Sequence, residues 1–238
     1  MSEFERTYEG KTNNLITSTR FGYEILSGLR LQTSIGHNRI ESNETSIFPS
    51  TWFDPTSGNG PEKAIVRKSS GSTKSWIIEP QLNWEKKIAQ GNLSFLVGGT
   101  YQNQHHDLIS IQYENFPSDA LLGNVASATY STIRQNDISV YKYAAVYSRL
   151  NYNWRGKYIL NLTGRRDGSS RFGPGRQFAN FGAAGAAWVF SAEPIVQKSL
   201  PFLSFGKLRA SYGVTGSDKI GDYRFLDTYT TSGTTQQY

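Results

Sequence analysis

The feature that most constrains this chain is an alternation of apolar and polar residues with a period of two. Residues 15–25 place apolar side chains such as Phe21 and Tyr23 on one face and polar ones such as Arg20 and Glu24 on the other. Because successive side chains of a β-strand point to opposite faces of the sheet, such a stretch is a strand with two chemically different faces. The alternation returns along the chain and predicts an all-β protein of about eight antiparallel strands.

The connections between the predicted strands are alternately short and mostly long. Short turns are predicted at 26–28, 86–92 and 155–156, and long loops rich in polar residues at 43–73 and 105–137. This asymmetry is typical of outer-membrane β-barrels, whose periplasmic turns are short and whose extracellular loops are long. The predicted strands are 15–25, 29–35, 74–85, 93–102, 140–154, 158–165, 178–190 and 207–214.

Large aromatic residues cluster close to the predicted turns, while Arg, Glu, Asn and Gln occupy the opposite face of the same strands. Such residues form the girdle at a membrane interface, and the polar face suits a water-filled or plugged lumen. A soluble β-sandwich or a β-solenoid also has alternating strands with one polar face, so periodicity alone leaves these alternatives open. The girdle candidates are Trp84, Tyr152, Trp154, Tyr158 and Trp188.

The composition limits how this chain could span a membrane and which partners its charge favours. There is no run of about 18 apolar residues, so no helix of the chain is expected to span a bilayer. The charged residues 1–10 are not those of a secretory signal, which leaves either a protein that is not exported or a missing beginning. The net charge of +6 suits an anionic outer-membrane leaflet as well as it suits nucleic acid.

The sequence gives little support to an enzyme. It has no cysteine, no phosphate-binding glycine loop, no HExxH pair and no nucleophile elbow. His105, His106 and Asp107 are adjacent, but neighbours on a strand point to opposite faces, so they do not converge easily on one metal. We expect no catalytic residue, no metal and no cofactor.

Five motifs occur in order in the second half of the chain. They are Tyr152-Asn-Trp-Arg-Gly-Lys-Tyr158, Arg166-Asp-Gly-Ser-Ser-Arg-Phe-Gly173, Ala187-Trp188, Glu193-Pro194, and Lys207-Leu-Arg-Ala-Ser-Tyr-Gly213 with Thr215-Gly216 and Ile220 to Tyr223. Together, in this order, they resemble the barrel of SusC/RagA-family TonB-linked transporters. The resemblance is firm over residues 150–230 and rests on pattern alone over 1–149. At 180–185 the chain departs from the family, which more often has a Phe-Pro-Ser-like segment there.

The resemblance implies a Gram-negative outer-membrane transporter that imports glycan fragments or peptides. Such a protein works with a SusD-like surface lipoprotein and the TonB complex, lies in outer-membrane lipid and has no nucleic-acid partner. Residues 1–238 would be a partial TonB-dependent-receptor barrel domain, a transmembrane segment of a larger plugged barrel. We expect it to be truncated at both ends, with the plug and the remaining strands absent. The alternatives are a soluble sandwich-like carbohydrate-binding module and a small self-contained outer-membrane barrel.

Candidate binding residues lie in the long loops, where aromatic rings could stack on sugars or pack on the lipoprotein. The alternative role for these rings is to fold the loops onto one another. The family motif around Asp167-Gly168 is interpreted as structural, with Arg165, Arg166 and Asp167 forming an ion pair that fixes strand register. The binding candidates are Trp52, Phe53, Tyr113, Phe116 and Tyr130, and the structural motif residues are Arg166, Asp167, Gly168, Arg171 and Gly173.

Overall fold

A computed structural model describes residues 6–54, 58, 60–223 and 226, and within them one sheet holds eight strands in sequential order. The predicted number of strands and the all-β class are confirmed. This single sheet differs from the two facing sheets of the sandwich alternative. The strands are β1 (Thr7–Leu26), β2 (Leu29–Phe48), β3 (Ile65–Ile88), β4 (Gly91–Glu114), β5 (Tyr130–Trp154), β6 (Tyr158–Ser169), β7 (Phe178–Trp188) and β8 (Leu208–Val214).

One short helix, α1 (Pro194–Ser199), lies between β7 and β8. Within the described part of the chain, no helix has the length and apolar character needed to cross a membrane.

The chain divides into two compact units, which are described separately. The first unit is Met1–Ser18, Gly36–Trp76 and Gln104–Val140, and the second is Thr19–Ile35, Ile77–Asn103 and Tyr141–Tyr238.

In the first unit, strands extend far into the segments predicted as long loops. β2 continues to residue 48, β3 begins at 65, β4 ends at 114 and β5 begins at 130, so the predicted loop bounds 43–73 and 105–137 are wrong. Polar side chains that resemble loop residues instead bond across strands, as cross-strand pairs do. Ser69 Oγ donates to Ser110 Oγ at 2.8 Å, and Thr73 Oγ1 lies 2.9 Å from His106 Nδ1.

A small core in the first unit joins residues of the two shortened loops, 49–64 and 115–129, to the start of β3. Val66 and Phe116 are its largest fully buried side chains, and Ala64 and Leu122 complete the cluster. Asp119 joins the loops, because its carboxylate accepts hydrogen bonds from the backbone N–H (3.1 Å) and the hydroxyl (2.5 Å) of Ser50. The described residues of the two loops are therefore held together by packing and hydrogen bonds.

In the second unit, the pairing of β5 to β8 sorts the side chains into two faces. Residues directly opposite one another in an antiparallel sheet share a face, so the register fixes which rows form. The apolar face begins with the row Trp154, Tyr158, Trp188 and Leu208 and continues with the row Tyr152, Leu160, Ala186 and Ala210. The polar face carries residues such as Arg149, Asn151, Asn161 and Arg165.

The small residues of β7 do not disturb this pairing. Each residue from Phe178 to Trp188 has a partner on β6, so the segment that departs from the family pattern at 180–185 is a regular strand. The small side chains of Ala186 and Ala187 line an apolar groove together with aromatic residues such as Tyr152 and Tyr158 on neighbouring strands.

At the end of the unit that carries the short turns, three of the sequence motifs meet on one carboxylate. Glu193 accepts hydrogen bonds from Lys157 Nζ (3.0 Å), Tyr158 Oη (2.8 Å) and Trp188 Nε1 (3.3 Å). These bonds lower the pKa of the Glu193 carboxyl, the one from Lys157 most strongly. Glu193 thus holds two hairpin ends and the aromatic row together.

Candidate functional site

The polar face of β5 and β6 carries a connected group of side chains near the ends opposite the short turns. Arg165 Nε donates to Asp167 Oδ1 at 2.5 Å, and the same guanidinium donates to the Tyr143 hydroxyl. The three residues share a face because Arg165 and Asp167 are two apart on β6 and Tyr143 lies on the adjacent strand. The guanidinium also lies 5.5 Å from the ring centroid of Tyr147.

The segment that follows β8 adds a second carboxylate to this face. Asp218 Oδ2 accepts hydrogen bonds from the hydroxyl of Tyr141 at 2.7 Å and from that of Ser169 at 2.9 Å. Both donors are buried, with Tyr141 9% and Ser169 6% exposed. The chain after Val214 is therefore tied back to β5 and β6.

Arg171 strengthens the same attachment. Its Nε donates to Asp222 Oδ1 at 2.8 Å, its Nη1 donates to the backbone oxygen of Asp218 at 3.3 Å, and its guanidinium lies 4.2 Å from the ring centroid of Tyr141. Burial opposes ionisation of Asp218, but the hydrogen bonds from Tyr141 and Ser169 and the charge of Arg171 outweigh it. The net result is a lowered pKa for Asp218, which keeps it a carboxylate at neutral pH.

These groups line a cavity of about 530 Å³ on the polar face. It presents aromatic rings beside a guanidinium and carboxylates, a combination suited to holding a polar ligand by stacking and hydrogen bonds. The lining residues are Gln102, Tyr141, Tyr143, Arg165, Asp167, Ser169, Phe172, Ala179, Phe181 and residues 215–219.

The histidines do not form a metal site in the described residues. His105 Nε2 lies 3.0 Å from Asp107 Oδ1 on one face, whereas His106 contacts Thr73 on the other. No group of three or more potential metal ligands occurs in the part of the chain that the structure describes.

The five loop aromatics predicted as binding residues occupy different environments, all in the first unit. Phe116 is 2% exposed in the loop core and Tyr113 packs against that core, so both take the packing role that was the alternative. Trp52 and Phe53 are partly buried, and the Trp52 ring meets Phe48 edge-on at 6.0 Å. Tyr130 is 61% exposed and is the most accessible of the five.

The family-motif residues divide between the two faces of β6. The ion pair joins Arg165 to Asp167, while Arg166 lies on the apolar face with its guanidinium 5.3 Å from the ring centroid of Phe178. A side chain at Gly168 would collide with that ring, because a Cβ there would lie 2.6 Å from it. The predicted ion pair therefore does not include Arg166.

The turn between β6 and β7 holds the remaining motif residues. Gly173 accepts a backbone hydrogen bond from Arg176 at 3.1 Å, which closes the turn. Arg171, the other motif residue of this turn, is the anchor of the segment after β8.

Sequence reasoning missed Tyr141, Tyr143 and Asp218 as members of one site. The alternation of Tyr141 and Tyr143 with Lys142 was a usable signal, because it places both rings on the face of Arg165 and Asp167. Asp218 gave no such signal, since it lies in a turn 77 residues from Tyr141.

An antiparallel meander with one apolar and one polar face has the arrangement expected of part of an outer-membrane β-barrel wall. Among solved structures, the RagAB peptide transporter matches with a TM-score of 0.82 at 21% identity, over 97% of this chain and 26% of that one. The RagAB peptide importer in its open-open state matches with a TM-score of 0.80 at 22% identity, over 97% and 26% of the two chains. These likenesses establish the fold.

Curated relatives give the same assignment by sequence. A TonB-dependent receptor of Formosa agariphila is 29% identical over 91% of this chain and 21% of its own length. The TonB-dependent receptor SusC of Bacteroides thetaiotaomicron is 27% identical over 92% of this chain and 21% of its own length. No family model matches the chain.

By sequence and by fold, the chain is similar to a segment of the barrel of SusC- and RagA-type TonB-dependent receptors. It spans about a fifth of the length of the curated relatives that it matches.

Proposed function

We propose that this chain forms part of the wall of an outer-membrane transporter of a Gram-negative bacterium that imports glycan fragments or peptides. The whole transporter would contain a plug and further strands, take energy from the TonB complex and receive its substrate from a SusD-like lipoprotein. The relatives support this assignment, since they are receptors and transporters and not enzymes by name.

The observation that carries the proposal is the separation of the two faces in the second unit. The register of β5 to β8 places an apolar band with an aromatic row on one face and an ionic, aromatic-lined cavity on the other. A barrel wall in lipid needs the first face, and a substrate pathway through the lumen needs the second. A soluble binding module would have no use for an exposed apolar band.

The cavity on the polar face is our candidate for a substrate contact. Trp52 and Phe53 in a loop of the first unit, and Tyr130 at the start of β5, are separate candidates. Tyr143 and Phe181 offer rings to a sugar or a peptide side chain, and Arg165 and Asp167 offer a donor and an acceptor close beside them.

The test is uptake by cells that carry the full-length receptor as their sole copy. Tyr143→Ala should slow uptake of the cognate glycan or peptide, and the control Leu150→Ala, on the apolar face of the same strand, should not. Membrane fractionation and heat-modifiable gel migration establish that each variant is inserted and folded. Normal uptake by Tyr143→Ala would remove the cavity from the proposal, and a receptor absent from the outer membrane would refute the function itself.

A further inference from the structure

The apolar face of the second unit ends abruptly at two cations. Arg166 lies on this face, and Lys142 does as well, because it alternates with the buried or partly buried Tyr141 and Tyr143 on the polar face. Both cations are exposed. From the Trp154 row up to these residues, the paired positions of β5 to β8 on this face carry no charged side chain.

The position of Arg166 along the strand matches the outer edge of a membrane. Eight residues of β5 separate Trp154 from Val146, which is directly opposite Arg166. At about 3.3 Å per residue and a strand tilt of about 40°, they span about 20 Å along the membrane normal, close to the apolar band of about 25 Å in such barrels. Lys142 lies four residues further out and reaches beyond the band.

Neither cation is neutralised by the protein in the described residues. Ion pairs there join Arg165 to Asp167 and Arg171 to Asp222, whereas no carboxylate is paired with Arg166 or Lys142. A positive pair at the edge of an apolar surface, left without a counter-ion, attracts anionic groups. Arg165, one residue away on the other face, differs in this respect because it is paired with the carboxylate of Asp167.

Phe178 fixes the geometry of this edge. Its ring is 61% exposed, lies over Gly168 and holds the Arg166 guanidinium at 5.3 Å from its centroid. An exposed ring at this height suits the boundary between acyl chains and headgroups. The guanidinium beside this ring has no carboxylate partner among the described residues, so its N–H groups are available to a phosphate oxygen.

We propose that Lys142, Arg166 and Phe178 form a binding site for the phosphorylated headgroup of an outer-leaflet lipid. This site rests on the proposed function, because it requires the apolar face to lie in a bilayer. The Phe178 ring packs against the first carbons of an acyl chain, and the two cations bind the headgroup phosphates. The cations lie four residues apart in register, about 13 Å along the strands, so a headgroup with two phosphates can reach both.

The experiment measures lipid retained by the full-length receptor in detergent, by native mass spectrometry. The probes are a bisphosphorylated glycolipid and its dephosphorylated form. The test variant is Lys142→Gln with Arg166→Gln, and the matched control is Arg149→Gln, an exposed cation on the polar face of β5. Arg166→Lys tests whether charge alone suffices.

We expect the double variant to bind the phosphorylated lipid about 25-fold more weakly, because each cation removed at a membrane surface weakens binding about fivefold. The Arg149→Gln receptor should bind as the wild type does, and Arg166→Lys should retain most of the affinity. Equal binding by the double variant, or equal binding of the dephosphorylated lipid, would overturn the inference. Displacement by millimolar inorganic phosphate would overturn it too, by revealing a site for free phosphate.

The lipid site and the proposed function fail in different ways. A receptor that inserts and transports, but shows no phosphate-dependent lipid binding, refutes the lipid site alone. A protein absent from the outer membrane overturns both.

Discussion

Replacing Asp218 with Ala should release the segment after β8 from the sheet. The carboxylate accepts two hydrogen bonds, from Tyr141 at 2.7 Å and Ser169 at 2.9 Å, and both donors are buried. A hydrogen bond to a charged group contributes about 1.5–3 kcal/mol, and partial exposure of Asp218 favours the lower end. We therefore expect a loss of about 2–3 kcal/mol, so that the segment opens about 30 to 160 times more often.

Amide hydrogen exchange in the full-length receptor measures this opening directly. The amide of Ile220 is a suitable reporter because it donates to the Asp218 backbone oxygen at 2.7 Å. Asp218→Asn should show a smaller effect because it retains one acceptor, and Lys219→Ala at the exposed neighbouring position should show none. Unchanged exchange in Asp218→Ala would refute the view that this carboxylate anchors the segment.

The same anchor should weaken in acid. Because the folded-state pKa of Asp218 is below its ordinary value, its contribution is complete above that ordinary value, near pH 4, and is lost as the pH falls through the lower folded pKa. Exchange rates of wild type and Asp218→Ala should therefore converge below about pH 4.

Three further changes test other parts of the structure. Glu193→Gln should lower the melting temperature of the detergent-solubilised receptor at pH 7 and flatten its decline below about pH 4, since the pKa of Glu193 is also lowered. In denaturant unfolding, Gly28→Ala should lower the free energy of unfolding by roughly 3 kcal/mol and Gly156→Ala by only about 1 kcal/mol. Both glycines have positive φ, but only at Gly28 would an added Cβ lie 2.3 Å from a backbone oxygen. Phe116→Ala should destabilise the loop core by about 3–5 kcal/mol, which would be measured as faster proteolysis of the loops. Tyr130→Ala should change stability by less than about 0.5 kcal/mol but should reduce uptake.

The faces of the strands could be predicted from sequence where apolar and polar residues contrast. Leu150, Tyr152 and Trp154 were placed on one face and Arg149 and Asn151 on the other, and the register confirms it. In a barrel wall of the kind proposed, this contrast reflects lipid on one side of the sheet and water on the other. Hairpin turns such as 155–156 followed from glycine and from the breaks in the alternation.

The outer parts of the strands could not be predicted in the same way. Around Ser69 and Ser110 both faces are polar, so the period of two disappears although the strand continues. Local composition there is the same as that of a loop, and only the partner strand, 41 residues away, decides between them. A single sequence does not reveal which strands pair.

The candidate site was partly accessible to sequence reasoning for a related reason. Its motif residues were recognised one at a time, but their roles depend on partners from distant segments. Arg171 in the turn after β6 bonds to Asp222 after β8, and Glu193 joins Lys157 to the end of β7. Motifs that look independent in the sequence are thus two halves of the same contacts. In each contact, the loss of one partner would leave the other as a charge without its counter-ion at the end of a strand.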